Sequence, residues 1–550
     1  MFTLREIFRF VQTLAVPVIF GLFVKYLVPK SDDNTLPPSL YLPILADIGF
    51  VPRSFPVTYR LDGYDFKHYE RIQNVSFSVP DTTAVILNWS RFPNVLLITS
   101  LLCGDWLGDV IVEVSIWNNN PRQLTYEDFK NTGCPKDRLR IYNAPANMYF
   151  QGRFMGCAQA RTPYCFVQDD DYLVRSEIVH ALHKRMRSSS GSYGIYLTPP
   201  REHLTSTLRE IRVSKPESSY LSDIHASFTW LGYGAIIHRS DAIDFISLLR
   251  RIRASDDEMK MADNFFTILS NRVPEIWFDR EFELGGGQPF TIGPEGDERN
   301  NRYIQKATQY LESITHCNAP SCTSAVDAKP ARAKLPYTSF QAYLPPPTWQ
   351  RAACRGSSCV LETNIHLLPD TIGHTGDSIQ NMLYLEKHNL ELLGEAAKQH
   401  YIDYAPSNAV DTLTDTSFRS PGSAKKGDII SIDLLADVSE AYEWTIVEMA
   451  WLVDSATEAI LDACTFESSM DQLVWHHASQ RPICNDTDLR LPSDNLTSED
   501  TPTYLRECSV QMLVASDALH LRATGRYFRV RLEEDQPEGW AVFEIWLRGL

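Results

Sequence analysis

The sequence predicts an α/β domain on a mostly parallel sheet, an all-β sandwich behind it, and a membrane-spanning helix in front. Three observations carry this. Up to about residue 315, apolar runs of strand length alternate with helix-like periodic segments, the order that builds parallel sheets. From Asp428 onward the apolar runs are short and spaced by turns, as in a sandwich. Near the amino end stands one apolar run of bilayer length.

That run is Phe10 to Val28, 19 residues preceded by Arg5 and Arg9 and interrupted by Lys25, which can snorkel to the interface. About 20 apolar residues cross a bilayer. Pro17 would only kink the helix. A cleaved signal peptide is the rival, but no small-x-small exit follows the run. Arginines before the span keep the amino end cytosolic. The expectation is therefore a single-pass type II protein of the Golgi or endoplasmic reticulum membrane, residues 1–30 being tail and anchor, with the rest lumenal. Residues 31–80, with Pro37, Pro38, Pro43, Pro52 and Pro56 and little periodicity, read as a stem.

In the α/β part, Thr83 to Trp89 (TAVILNW) is a strand and Asn94 to Cys103 a helix packing on it. Val110 to Trp117 and Cys165 to Gln168 are further strands. Beyond them Gly232 to His238 is a strand, and Ser240 to Arg251 and Asp256 to Asn271 are helices. Residues 81–315 form this domain. Residues 316–399, rich in Ala, Pro and Ser at first and helical from Ser378 to Gln399, read as a linker. Residues 400–550 form the sandwich, with strands at Asp428–Leu434, Trp444–Leu452, Cys508–Val514, Tyr527–Leu532 and Trp540–Leu547. If the sandwich is an acceptor-binding module, it is removable without touching the donor contacts, all before residue 290; the alternative is that it buries apolar surface of the α/β domain, and its removal makes the fragment aggregate.

Composition narrows the function. Hydrophobic residues make up 44% and charged residues 22% of the 550, a globular balance with room for two or three domains. The net charge of −17 repels phosphate backbones, so no nucleic acid is expected as partner. Eleven cysteines suit an oxidising compartment and leave an odd one. Cys317 with Cys322 and Cys354 with Cys359 are close enough in sequence for local disulfides, and neither has the second half of a zinc pattern. Sequons stand at Asn74, Asn88, Asn485 and Asn495.

The chemistry centres on Asp169, Asp170 and Asp171 after the strand Phe166 to Gln168. Adjacent carboxylates repel, and a hard divalent cation relieves them, with a diphosphate completing its oxygens. Asp171 and Asp169 are the metal-ligand candidates. Asp169 can also accept from a ribose hydroxyl, and Asp170 can either support the ligands from behind or meet the transferred sugar. An exposed acidic turn capping a helix that begins near Leu173 is the bland reading of the same residues.

The segment Asn147 to Asp171, with its turn Gln151, Gly152, Arg153, Phe154, resembles the donor-site block of exostosin-like glycosyltransferases. So do Ile86 to Arg91, Ile116 to Asn120 and Gly232 to Arg239, in the same order, over roughly residues 83 to 290. The resemblance implies a GT-A fold, retaining transfer from a nucleotide-sugar, here a UDP-sugar, and Mn2+ or another divalent cation. It places Asn88 and Asn119 near nucleobase and ribose, Arg91 close by, and Arg153 on the diphosphate. Arg280 in FDREF is a second diphosphate candidate, and Gly285 to Gly287 would let a loop close over the donor. The family's acidic pair falls here on Met259 and Lys260. Asp263 takes the acceptor-hydroxyl role instead and, with Asp170, completes the catalytic candidates. His238 reads as a packed histidine. A P-loop or kinase set is absent, which argues against phosphoryl transfer.

Asn408 to Leu434, Thr465 to Trp475 and Gly525 to Leu550 resemble discoidin-like, galactose-binding-type jelly rolls. The whole implies an enzyme moving a sugar to a glycan or glycoprotein acceptor; the alternative is a catalytically degenerate lumenal glycan-binding protein.

Overall fold

A computed structural model describes residues 39–48, 50, 58–61, 64–67, 79–188, 193–214, 223–280, 282–286, 293–316, 336–340, 349–374, 378–438, 446–491, 504–514 and 524–549. The expected anchor, the Cys317/Cys322 pair, Asn74, Asn495 and Gly287 lie outside these residues. Among the described residues no helix is long and apolar enough to cross a membrane.

Strands β1 (Thr58–Leu61) and β2 (Tyr64–Lys67) form a separate hairpin. The α/β part contributes β3 (Thr82–Asn88), β4 (Ile111–Asn118), β5 (Leu139–Asn143), β6 (Tyr164–Gln168), β7 (Gly194–Thr198), a small pair β8 (Ile211–Val213) and β9 (Ile224–Ala226), β10 (Ala235–His238) and β11 (Glu275–Phe278). Their order in the large sheet is β5-β4-β3-β6-β10-β7-β11. All pairs are parallel except those made by β10.

Both faces of this sheet are covered, which is why its strands read as continuous apolar runs. Val85 and Val167 pack with Phe154, Phe245 and Phe266 from the helices Gln151–Gln159, Arg239–Arg251 and Asp263–Leu269. Ala84, Ile86 and Phe166 pack on the other face with Ile98 and Ile178, from the helices Phe92–Leu102 and Ser176–Ser188. The single helix expected over Asp256 to Asn271 is two. Ser255 and Glu258 box the start of Asp256–Lys260, and the chain leaves helical geometry at Met261 before Asp263–Leu269 begins.

The sandwich adds β12 (Gln350–Ala353), β13 (Val360–Thr363), β14 (Phe418–Arg419), β15 (Ile429–Asp433), β16 (Ile446–Val453), β17 (Cys464–Ser469), β18 (His476–His477), β19 (Ile483–Arg490), β20 (Tyr504–Val514), β21 (Tyr527–Leu532) and β22 (Ala541–Gly549). One antiparallel sheet is β14-β22-β16-β20-β19. The facing strands do not form a sheet of their own. They continue the large sheet beyond β11 as β12-β13-β15-β21-β17-β18, giving one sheet of 13 strands.

This corrects the linker expected over residues 316–399. Its described part holds the hairpin β12/β13, which pairs with β11 through Phe278↔Ala352 and with β15 along Val360 to Thr363. Charge reinforces the joint. Arg185 of the helix Ser176–Ser188 reaches Glu275 at 3.2 Å, Glu362 at 3.2 Å and Asp433 at 3.5 Å, one partner on each of β11, β13 and β15. The stem is corrected too. Leu45 and Phe50 are buried in the α/β core, with Phe50 edge-on to Phe282 at 4.9 Å, so residues 39–48 and Phe50 dock rather than space.

Four disulfides are described: Cys103–Cys134, Cys157–Cys165, Cys354–Cys359 and Cys484–Cys508, with Cys464 free. The expected Cys354–Cys359 pair is among them. Of the sequons, Asn88 is buried at the end of β3, and Asn485 is exposed on the edge strand β19.

Candidate functional site

Strand order reverses at β3: β4 and β5 follow on one side of it, and β6 lies on the other. At such a switch point the flanking loops part and leave a crevice beyond the carboxyl ends of the strands. β3 brings Asn88, Trp89 and Arg91 to this crevice, and β6 brings Asp169, Asp170 and Asp171.

In-register pairing aligns Asn88, Asn118 and Asn143 across β3, β4 and β5. Their amides form a ladder, Asn88 Nδ2 donating to Asn118 Oδ1 and Asn118 Nδ2 to Asn143 Oδ1, both at 2.7 Å. Asn88 thus closes the sheet end and retains one buried oxygen, Oδ1, without a partner. Asn119 differs from its expected role. Its amide donates to the Tyr149 carbonyl at 3.0 Å and accepts from the Met148 N–H at 3.0 Å, so both groups hold the loop before the helix Gln151–Gln159. Asn143 was missed because the signal that singles it out is register, which only pairing reveals.

Arg153 is also placed otherwise than expected. Its side chain is 1% exposed, beneath the acidic turn, where Nη2 bonds Asp169 Oδ1 at 2.7 Å and reaches Asp263 Oδ2 at 3.1 Å. Buried so deeply, it supports Asp169 and does not meet a diphosphate. Asp263 is likewise 1% exposed; burial pushes its carboxyl up to about 7 against the pull of Arg153. A carboxylate sealed under Arg153 does not face an acceptor hydroxyl, which corrects that assignment. The backbone of Asp169 is fixed from the opposite side, its N–H donating to the Gly232 carbonyl at 2.9 Å. A Cβ on Gly232 would stand 2.4 Å from Asp169 Oδ2, so the glycine lets the Asp169 carboxylate lie where it does.

Arg91 grips the turn from the β3 side, its Nη1 lying 2.9 Å from Asp170 Oδ1 and 3.4 Å from Asp171 Oδ2. Asp170 also accepts weakly from the Trp89 N–H, and its carbonyl accepts from Asn94 Nδ2 at 2.9 Å. Its side chain is 9% exposed and engaged, so Asp170 locks the two loops together rather than facing substrate. The glycine loop closes here: Gly285 (φ 66°) and Gly286 (φ 86°) turn so that their carbonyls accept from Asn94 and Arg91. The Leu284 N–H donates to the Asp171 carbonyl at 2.8 Å. Asn94 was overlooked because a helical asparagine carries no signal of its own. Arg280 is not part of this cluster: it points to Asp411 of the sandwich at 3.4 Å.

The accessible carboxylates are Asp169 and Asp171, each with 25% of its side chain exposed. Burial, with Asp169 and Asp170 nearby, pushes the Asp171 carboxyl up to about 7 despite Arg91. Its Oδ1 is buried without a hydrogen-bond partner. Four carboxyls (Asp169, Asp170, Asp171, Asp263) share two guanidiniums (Arg91, Arg153), a crowding of acids that a divalent cation would relieve. Among the described residues no three His, Cys, Asp or Glu side chains converge as a ready metal cage, since Asp170 is turned onto Arg91 and Asp169 onto Arg153. Asp169 and Asp171 are the carboxylates left exposed to meet a cation, and a ligand would have to supply its remaining oxygens.

Trp89 stands 46% exposed at the mouth, and Tyr172 packs on Tyr233 across it, ring centroids 4.6 Å apart. No protein-family model and no curated protein matches the chain. Its structural neighbours include glycosyltransferases and carbohydrate-binding modules. The mannosyltransferase PcManGT from Pyrobaculum calidifontis, in complex with GDP-Man and Mn2+, is similar at 11% identity over 51% of this chain and 72% of its own, with a TM-score of 0.30. TarS 1-349 from S. aureus in complex with UDP gives 11% identity over 43% and 69%, TM-score 0.25. CBM32-1 from a family 31 glycoside hydrolase of Clostridium perfringens gives 17% identity over 26% and 84%, TM-score 0.16. At such scores the likenesses carry no weight, and the reading of the site stands on its own geometry.

Proposed function

We propose that this chain is a metal-dependent glycosyltransferase that takes a sugar from a nucleoside diphosphate, a UDP-sugar, and passes it to a hydroxyl of a glycan or glycoprotein. The observation that carries the reading is the acidic turn at the switch point, where Asp169 and Asp171 remain accessible and four carboxyls share two guanidiniums. Asp171 and Asp169 are the residues to hold the cation. Bound there, it would offset the negative charge that grows on the departing diphosphate.

The other residues act by position. Arg153 braces Asp169 from below, Arg91 spans Asp170 and Asp171, and the Gly285–Gly286 loop covers the guanidinium of Arg91. In transfer, the bond from the anomeric carbon to the diphosphate oxygen breaks, a bond to the acceptor oxygen forms, and the hydroxyl proton passes to the departing diphosphate. Trp89 and Tyr233 offer aromatic faces at the mouth. Placement in the lumen of the Golgi or endoplasmic reticulum behind a type II anchor belongs to the same reading and draws support from the four disulfides.

Calorimetric titration with UDP tests the site: binding with manganese, lost with chelator and in Asp171→Asn, is the expected result. Equal binding with chelator would remove the metal. A second reading, a non-catalytic lumenal glycan-binding protein, is favoured by the burial of Asp263. Absence of both UDP binding and UDP-sugar hydrolysis would establish it.

A further inference from the structure

A cavity of about 770 Å³ lies far from the acidic turn. It opens at the amino ends of β7 and β11, beside Gly194 and Glu275, whereas the proposed donor crevice sits at the carboxyl ends of the sheet. Its volume is in the range of small-molecule sites, on the order of 300 to 1,000 Å³.

Most charges on its wall are already paired. Arg212 bonds Glu210 at 2.7 Å, and Arg351 bonds Glu362 at 2.7 Å. Two are not. Asp241, in the first turn of the helix Arg239–Arg251, has a buried Oδ2 with no hydrogen-bond partner. Arg272 lies with its guanidinium 3.2 Å over the Tyr193 ring and forms no salt bridge among the described residues, bonding only weakly to the Tyr337 carbonyl at 3.4 Å. The cavity therefore sets a buried carboxylate oxygen without a donor opposite a guanidinium with one weak acceptor, an oppositely charged pair that attracts without a hydrogen bond, while the exposed Asp370 keeps its water. Trp349, half-buried in the wall, adds an aromatic face.

An anion would satisfy Arg272 and repel Asp241; a cation would do the reverse. A buried polar group left unmatched by its ligand costs affinity. A ligand with neutral hydroxyls satisfies both, because each hydroxyl donates and accepts, while its C–H faces suit an indole. We propose that this cavity binds a neutral saccharide, independently of the donor crevice.

The test is calorimetry on the full chain with lactose, cellobiose, maltose and mannobiose as probes. At least one should bind saturably, and Asp241→Ala and Trp349→Ala should each weaken it about tenfold or more, while UDP neither competes nor loses its own binding. Should Asp241→Ala not fold, Trp349→Ala decides alone. No binding by any probe overturns the proposal, as does binding that both variants leave unchanged, which would move the sugar to the sandwich loops. UDP binding is read in the same titrations, so a failed donor site and a failed cavity are told apart.

Discussion

Arg153 sits between Asp169 and Asp263 with almost none of its side chain in water. Removing one partner of such a group strands the others, so Arg153→Ala should cost about 3 to 5 kcal/mol, read as a lower urea midpoint. Asp171→Asn should behave oppositely: it relieves repulsion among the neighbouring carboxylates, leaving the midpoint unchanged or raised while abolishing sugar transfer. Gly232→Ala separates position from charge. Its methyl would push the Asp169 carboxylate aside, so manganese-dependent UDP binding should fall at least tenfold with only a small change in melting temperature. The triplet of aspartates was legible in the sequence because adjacent like charges after a strand need an explanation. The partner of each was not. Arg91 and Asp170 are 79 positions apart, and Arg153, expected at the phosphate, is taken below the turn because the helix Gln151–Gln159 packs against the face of the sheet rather than over its end.

At the level of elements, the Cys157–Cys165 disulfide joins the helix bearing Arg153 to the strand that ends before Asp169. Replacing both cysteines by alanine should cost about 2 to 4 kcal/mol, and UDP should bind more weakly because Arg153 and Asp169 lose their common tether. A pH effect belongs to the turn after Val410. Asp411 accepts from Thr416 and the Leu413 N–H, and burial pushes its carboxyl up to about 6. The folded protein therefore binds this proton more tightly than the unfolded chain, and the group lowers stability as pH rises from about 4 to about 6, with no further change above. Measured by urea unfolding, Asp411→Asn should gain on the wild type across that window by up to about 3 kcal/mol. The sequence showed the strands with long apolar runs, such as β3, β4, β16 and β21, to within a residue or two. It concealed β12, whose residues Gln350 to Ala353 have no alternation, because an inner strand between two domains takes its burial from both.

For the molecule as a whole, the unbroken sheet favours the second account of the sandwich, in which it covers the α/β domain, over the separable module. Cutting off residues 400–550 would bare the hydrogen-bonding edge of β13 and leave Arg185 without Asp433. The truncated protein should aggregate, by light scattering or gel filtration, rather than remain a soluble donor-hydrolysing fragment. The composition change after residue 400 was a true boundary of folding pattern but not of packing, since strand pairing across it leaves no mark on residue type.

The same joint has a consequence in time. A ribosome releases the chain at about 5 to 20 residues per second, and β12 and β13 emerge well before β15 and β21, which pair in succession on that edge. For several seconds the nascent α/β domain presents an open strand to its surroundings. Closure of that edge must then wait for Tyr527 to Leu532, so peptide-binding chaperones should be found on this protein during synthesis and released only after that strand has joined the sheet.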